Sequence, residues 1–196
     1  LGGWYSRSVY SMIGAVRSLA QLFAYEVPLF MSILAAALLA DTWSLSEMTT
    51  FYLNHPGLWI CNLIGFVVAL IALLGKLEKV PFDIPEAETE LVAGCFTEYG
   101  GRLFALFKAT INIEMVVGAS LLSAVFLPWG LRLPFALGFL VFVLKIIFIV
   151  GLLALARTIF ARLRIDQLFT FSLKYVAPLA FAQVILNLIL KGAVPR

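Results

Sequence analysis

A chain of 196 residues that is 63% hydrophobic and only 13% charged, with a mean hydropathy of +1.04, is not a water-soluble domain, in which about a quarter of residues carry charge. Its net charge of +3 is scattered among the connections between apolar blocks and makes no case for nucleic acid. Cys61 and Cys95 lack any Cys-x-x-Cys spacing, and neither a glycine-rich nucleotide loop nor a Ser/His/Asp arrangement is present. No metal site, cofactor or catalytic centre is therefore expected on this chain.

The chain opens LGGWYSRS, which reads as the end of a preceding helix running into a loop and predicts a further N-terminal portion. Five apolar blocks follow, each near the roughly 20 residues that cross a bilayer as a helix. The first covers residues 11–40 and holds Pro28, which removes a backbone donor and predicts a kink. The others cover residues 57–75, 103–127, 133–156 and 168–190, the last with Pro178 inside it. His55 falls in a polar connection and reads as a surface histidine. The expected fold is an all-α polytopic membrane protein, one transmembrane domain over residues 1–196, with an acidic loop at residues 76–102.

Loop charge orients the bundle. Arg7, Lys76, Lys79, Arg102, Arg157, Arg162 and Arg164 share one side, whereas the other has no Lys or Arg between Asp41 and Pro56 and only Arg132 in LPWGLRLP. The excess of basic residues marks the cytoplasmic side. The N-terminus and acidic loop are thereby assigned to the cytoplasm in a cell membrane, and the C-terminus to the other face.

Glu26, Glu114 and Lys145 fall well inside predicted spans. A charge at bilayer depth costs about 2.5–3.5 kcal/mol on insertion scales, so such groups face protein or water and are functional candidates. Glu26 could pair with Arg17 on the same helix, but about 13 Å of rise separates their backbones, which favours a proton-carrying role. Glu114 reads equally as an interfacial partner of Lys108 or as a relay group. Lys145 reads as a counter-ion for a neighbouring helix or as a participant in ion transfer.

The stretch KVPFDIPEAETELVAGCFTEYGG gathers Asp83, Glu86, Glu88, Glu90 and Glu98. Asp83 can cap a helix with Pro85 in its first turn and Glu86 at the capping-box position. That leaves Glu88, Glu90 and Glu98 unaccounted for, and no lysine is interleaved between Val80 and Gly101. Clustered carboxylates beside a cavity titrate as a coupled set, which suits proton transfer; a docking surface for a basic partner is the competing reading.

PFDIPEAETELVAGCFTEYGG, with LGGWYSRSVYSMIGAVRSLAQLFAYEVPL before it and ARLRIDQLF after it, resembles the membrane subunit that couples the hydrophilic arm to the membrane arm in respiratory complex I and its relatives. Within that superfamily, KLEKVPFDIPEAETE and ARLRIDQ look similar to the membrane subunits of group 4 membrane-bound nickel–iron hydrogenases and of the related sulfane sulfur reductase. The loop is shared with complex I, so a quinone-site subunit of NADH:quinone oxidoreductase is the alternative.

The resemblance implies a subunit without redox centres of its own. Its expected partners are hydrophilic redox subunits carrying iron–sulfur clusters, with nickel–iron in the hydrogenase branch, and antiporter-like membrane subunits in the bilayer. It also implies that Glu26 lies in an acidic channel fed by Asp83, Glu86, Glu88, Glu90 and Glu98, with Arg102 and Arg164 as electrostatic partners.

Overall fold

The computed structural model describes residues 2–6, 8–84, 94–97, 99–130 and 132–193. A short α1 (Gly2–Tyr5) precedes α2 (Val9–Ala40), which continues as one helix through Pro28. Next come α3 (Leu45–Asn54), α4 (Pro56–Cys61) and α5 (Leu63–Lys76). A 3₁₀ turn (Gly94–Phe96) leads to α6 (Gly101–Phe126) and α7 (Phe135–Ile159). The chain ends in α8 (Ile165–Phe171), a π-helical turn (Ser172–Val176) and α9 (Ala177–Ala193).

Among the described residues, four helical stretches are long and apolar enough to cross a membrane: Val9–Ala40, Gly101–Phe126, Phe135–Ile159 and Ile165–Gly192. This is the all-helical, polytopic architecture expected from hydropathy. The crossing expected over residues 57–75 differs, being divided at Asn62 into α4 and α5. Pro56 starts α4 at the position where a missing N–H costs nothing, and Asn62 turns its side chain into a buried polar cluster instead of continuing an apolar surface.

Helix α3 occupies a stretch that the polar composition marked as a connection. Tyr52, 1% exposed, secures it by donating its hydroxyl to Ala36 O at 2.6 Å. His55 sits exposed at the α3–α4 junction with its ring against Phe51.

Helix α2 is the hub, packing along α9 and α5. Small residues line these crossings: Ala24, Ala35, Ala36, Ala69, Ala72 and Ala180 are all buried. In lipid, where apolar surface gives no drive to associate, close approach of small residues supplies the van der Waals contact. Pro178 lacks an N–H for the preceding turn, and the chain widens into the π turn just before it, a common resolution of such a conflict. Within that turn Ser172 donates its hydroxyl to Ala24 O, tying α9's approach to α2. By contrast α7 buries only Ile149 and Leu153 and presents the rest of its apolar surface outward.

Candidate functional site: a lysine between two carboxylates

The site begins with two glycines. At Gly75, the ring of Tyr25 occupies the space a Cβ would need, so α5 comes down directly onto α2. At Gly118, Leu73 Cδ1 does the same and brings α6 against α5. Residues next to these contacts are thereby forced together. Glu26 follows Tyr25, Lys76 follows Gly75, and Glu114 lies one turn before Gly118 on the same face of α6.

The result is an ion-paired triad. Lys76 Nζ lies 3.5 Å from Glu26 Oε1 and 3.7 Å from Glu114 Oε1. Two carboxylates against one ammonium leave the triad one negative charge. Lys76 also stands in the last turn of α5, where a cation complements the carbonyl ends of the helix. On the protein surface of this chain the Glu26 and Glu114 side chains are 50% and 40% exposed. In a bilayer that exposure requires cover by protein or water.

A polar path runs from this triad towards the acidic stretch. Gln21, 2% exposed, donates from Nε2 to Gly75 O at 2.7 Å and to Phe82 O at 2.8 Å. It thus stitches the end of α5 and the start of the acidic stretch to α2. One turn earlier, Ser18 donates its hydroxyl to Glu78 Oε1 at 2.6 Å. Glu78 holds a left-handed backbone, φ 50°, a conformation costing roughly 1–2 kcal/mol for a residue with a Cβ; the chain turns there out of α5. Between these groups lies a cavity of about 20 Å³ lined by Gln21, Leu22, Glu26, Gly75, Lys76 and Glu78, room for about one water. The Gln21 Oε1 atom is buried and has no hydrogen-bond partner among the described residues.

The remaining sequence candidates divide. Asp83 is half-buried where this stretch begins, next to Ile84, which is 2% exposed. Glu86, Glu88, Glu90 and Glu98 lie outside the described residues, as does the capping box expected of Asp83 and Glu86. Arg17 and Arg164 come together with Arg162 around Ile84, in a cleft of about 280 Å³ that Asp166 also lines. Three arginines therefore gather around Ile84, the last described residue before the run of glutamates. Arg164 also precedes α8, its backbone N–H donating to Gln167 Oε1 at 3.1 Å. Arg102 is exposed in the first turn of α6. Lys108, which the sequence offered as a partner for Glu114, sits over the Phe104 ring at 5.4 Å.

Lys145 is not brought to the carboxylates. Its Nζ donates to Leu127 O at 2.8 Å and Trp129 O at 2.9 Å, closing the turn between α6 and α7 on the face opposite the acidic stretch. The sequence does not single out Lys76 or Glu78 as a site residue. They stand at the edge of an apolar block, where a loop charge is the ordinary reading, and no local spacing relates them to Glu26.

Several helices long and apolar enough to cross a membrane, with the Glu26–Lys76–Glu114 triad bridging three of the helices, define a polytopic membrane protein. The NADH dehydrogenase family model matches residues 1–188, and the chain belongs to that family. It is 40% identical over 193 residues to the H subunit of the NADH-quinone oxidoreductase of Bacillus thuringiensis (strain Al Hakam), covering 97% of this chain and 58% of that protein. The corresponding protein of Bacillus cereus (strain AH187) matches to the same extent. Among solved structures, a chain of the membrane-bound sulfane sulfur reductase, an archaeal respiratory membrane complex, superposes with a TM-score of 0.80 at 27% identity. That match covers 94% of this chain and 62% of the other. The chain spans about three fifths of the length of these relatives.

Proposed function

We propose that this chain is the coupling subunit of a complex I-like, ion-translocating oxidoreductase of the membrane-bound hydrogenase or sulfur reductase type. The observation that carries the reading is Lys76 held between Glu26 and Glu114, at the end of a polar path from Glu78 and the acidic stretch. One ammonium cannot fully compensate two carboxylates. A proton arriving on either glutamate releases Lys76 to the other, so proton position and lysine position change together.

In this reading the chain transfers no electrons. Redox chemistry on iron–sulfur clusters, and on nickel–iron in the hydrogenase branch, takes place in hydrophilic partner subunits above the acidic loop on the cytoplasmic side of the cell membrane. The carboxylates Asp83, Glu86, Glu88, Glu90 and Glu98 feed protons inward past Glu78, and the Glu26–Lys76–Glu114 triad passes the change to antiporter-like subunits. The currency is protonation: one pKa unit corresponds to about 1.4 kcal/mol.

The test is Glu26→Gln in the assembled complex, scored as ions moved per electron. The expected outcome is retained electron transfer with a reduced ion yield. Full yield would refute the relay and leave a membrane anchor whose acidic loop docks the soluble arm.

A second reading, a quinone-site subunit, is favoured by one feature. A cavity of about 550 Å³ between α1, α2 and α6 is lined by aromatic groups including Trp4, Tyr5, Phe96, Tyr99 and Phe107, a slot suited to a flat ring and its apolar tail. Competition between a quinone analogue and electron transfer in the complex separates this branch from the first.

A further inference from the structure

The bundle holds a second polar cluster, on the half facing away from the acidic stretch. Gln183, Asn187 and Lys191 recur every four residues along α9 and therefore share one face. Gln183 and Asn187 are 1% and 0% exposed, and Asn62 from the α4–α5 break is 3% exposed. Gln183 Nε2 lies 3.1 Å from Cys61 O, 3.1 Å from Asn62 Oδ1 and 3.0 Å from Asn187 Oδ1. Asn187 Nδ2 donates to Ala35 O at 2.8 Å and to Asn62 Oδ1 at 2.7 Å. The Tyr52 hydroxyl adjoins Asn62 and extends the cluster to α3.

The hydrogen-bond count in this cluster does not close. Three acceptors surround the Gln183 amide nitrogen, which has two hydrogens. Meanwhile Gln183 Oε1 is buried with no partner among the described residues. Amide side chains do hold membrane helices together, but a pure lock has no reason to leave a carbonyl oxygen unmet, at a cost of about 1–3 kcal/mol. Water is a donor small enough to meet such an oxygen inside a packed bundle.

The same polar stripe continues to the protein surface. One turn beyond Asn187, Lys191 Nζ meets Asp41 Oδ1 at 2.5 Å, joining the ends of α9 and α2. These side chains are 30% and 58% exposed. Asp41 turns the chain out of α2 in the left-handed region, φ 55°, where a short polar side chain is tolerated. From Gln183 to Lys191 the helix rises about 12 Å.

We propose that the α2–α5–α9 junction is a water-binding inlet, entered past Asp41–Lys191 from the face opposite the acidic stretch and ending at Gln183. It is separate from the triad around Lys76 and does not depend on the relay reading.

The test uses the whole complex in sealed vesicles of each orientation, with Cys61→Ser and Cys95→Ser in place. Asn187→Cys, Gln183→Cys and Ile189→Cys are each exposed to a charged, membrane-impermeant methanethiosulfonate. Ile189 is 68% exposed on the same helix and marks the lipid-facing rate. Only a thiolate in water reacts readily, so Asn187→Cys is expected to react at least an order of magnitude faster than Ile189→Cys. The reaction is expected only from the face opposite the acidic stretch. Rates equal to that of Ile189→Cys, or reaction only from the acidic side, overturn the inlet.

Unsubstituted complex provides a second readout that no folding defect can mimic. Pulsed hydroxyl-radical labelling is expected to modify Tyr52 above Phe126 after correction for intrinsic reactivity, although they are 1% and 2% exposed. Equal, background labelling of both argues for a dry amide lock and overturns the proposal.

Discussion

Lys76 Nζ and Glu26 Oε1 stand 3.5 Å apart although fifty residues separate them in the chain. The pairing depends on Gly75, whose bare backbone lets the Tyr25 ring lie against α5. Glu114 completes the arrangement from a third helix. The charge that makes this triad useful is thus positioned by packing that carries no charge at all.

Removing the lysine is expected to leave the Glu26 and Glu114 carboxylates without the cation that bridges them. Lys76→Met should therefore lower ions per electron while electron transfer persists, and Lys76→Arg should restore part of the yield. Ion uptake measured against electron flux in proteoliposomes checks this, with blue-native electrophoresis to show that the complex assembles.

Gly75→Ala puts a methyl group into the Tyr25 ring. Overpacking of this kind costs about 1–3 kcal/mol. The thermal midpoint of the complex should fall, and the α2–α5 spacing that pairs Lys76 with Glu26 should open. Gly151→Ala meets open space in the middle of α7 and serves as the control, with little change expected in either direction.

Lys145→Met removes the donor to Leu127 O and Trp129 O at the α6–α7 turn. Hydrogen bonds from a charged donor contribute about 1.5–3 kcal/mol each, so a measurable drop in thermal stability is expected. Ions per electron should stay unchanged, because Lys145 contacts neither carboxylate of the triad. A lowered ion yield at normal stability would restore Lys145 to the ion path.

Tyr52 gives a pH dependence. Burial raises its phenol above the ordinary value of 10.0, and the neighbouring Asn62 side chain opposes this in part. The folded state therefore favours the protonated phenol. That contribution is intact below pH 10 and declines as the pH rises past the unfolded phenol's pKa. Tyr52→Phe also loses the donation to Ala36 O, worth about 0.5–1.5 kcal/mol. The difference in melting temperature between the two proteins should be constant from pH 7 to about 9 and shrink above pH 10.

Hydropathy by itself determined the all-helical membrane class, because a bilayer leaves a spanning backbone few ways to satisfy its own hydrogen bonds. It also marked Glu26 and Glu114, since ionisable groups stand out against an apolar run. It could not show the break at Asn62, where one asparagine matters only because Gln183 and Asn187 arrive from α9 to meet it. Nor could it reveal α3 within its polar stretch, which Tyr52 fastens to α2.

The partners of the charges were a matter of tertiary structure alone. Lys76 reads in the sequence as one more basic residue at a membrane edge, and Lys145 as a charge deep in a span. Packing decided their partners: Lys76 meets the two glutamates, while Lys145 reaches backbone carbonyls at the far turn. A residue's type sets which partners it can accept. Which one it finds is set by how closely helices approach, here through Gly75 and Gly118, and that is a property of surfaces in three dimensions that no spacing along one chain encodes.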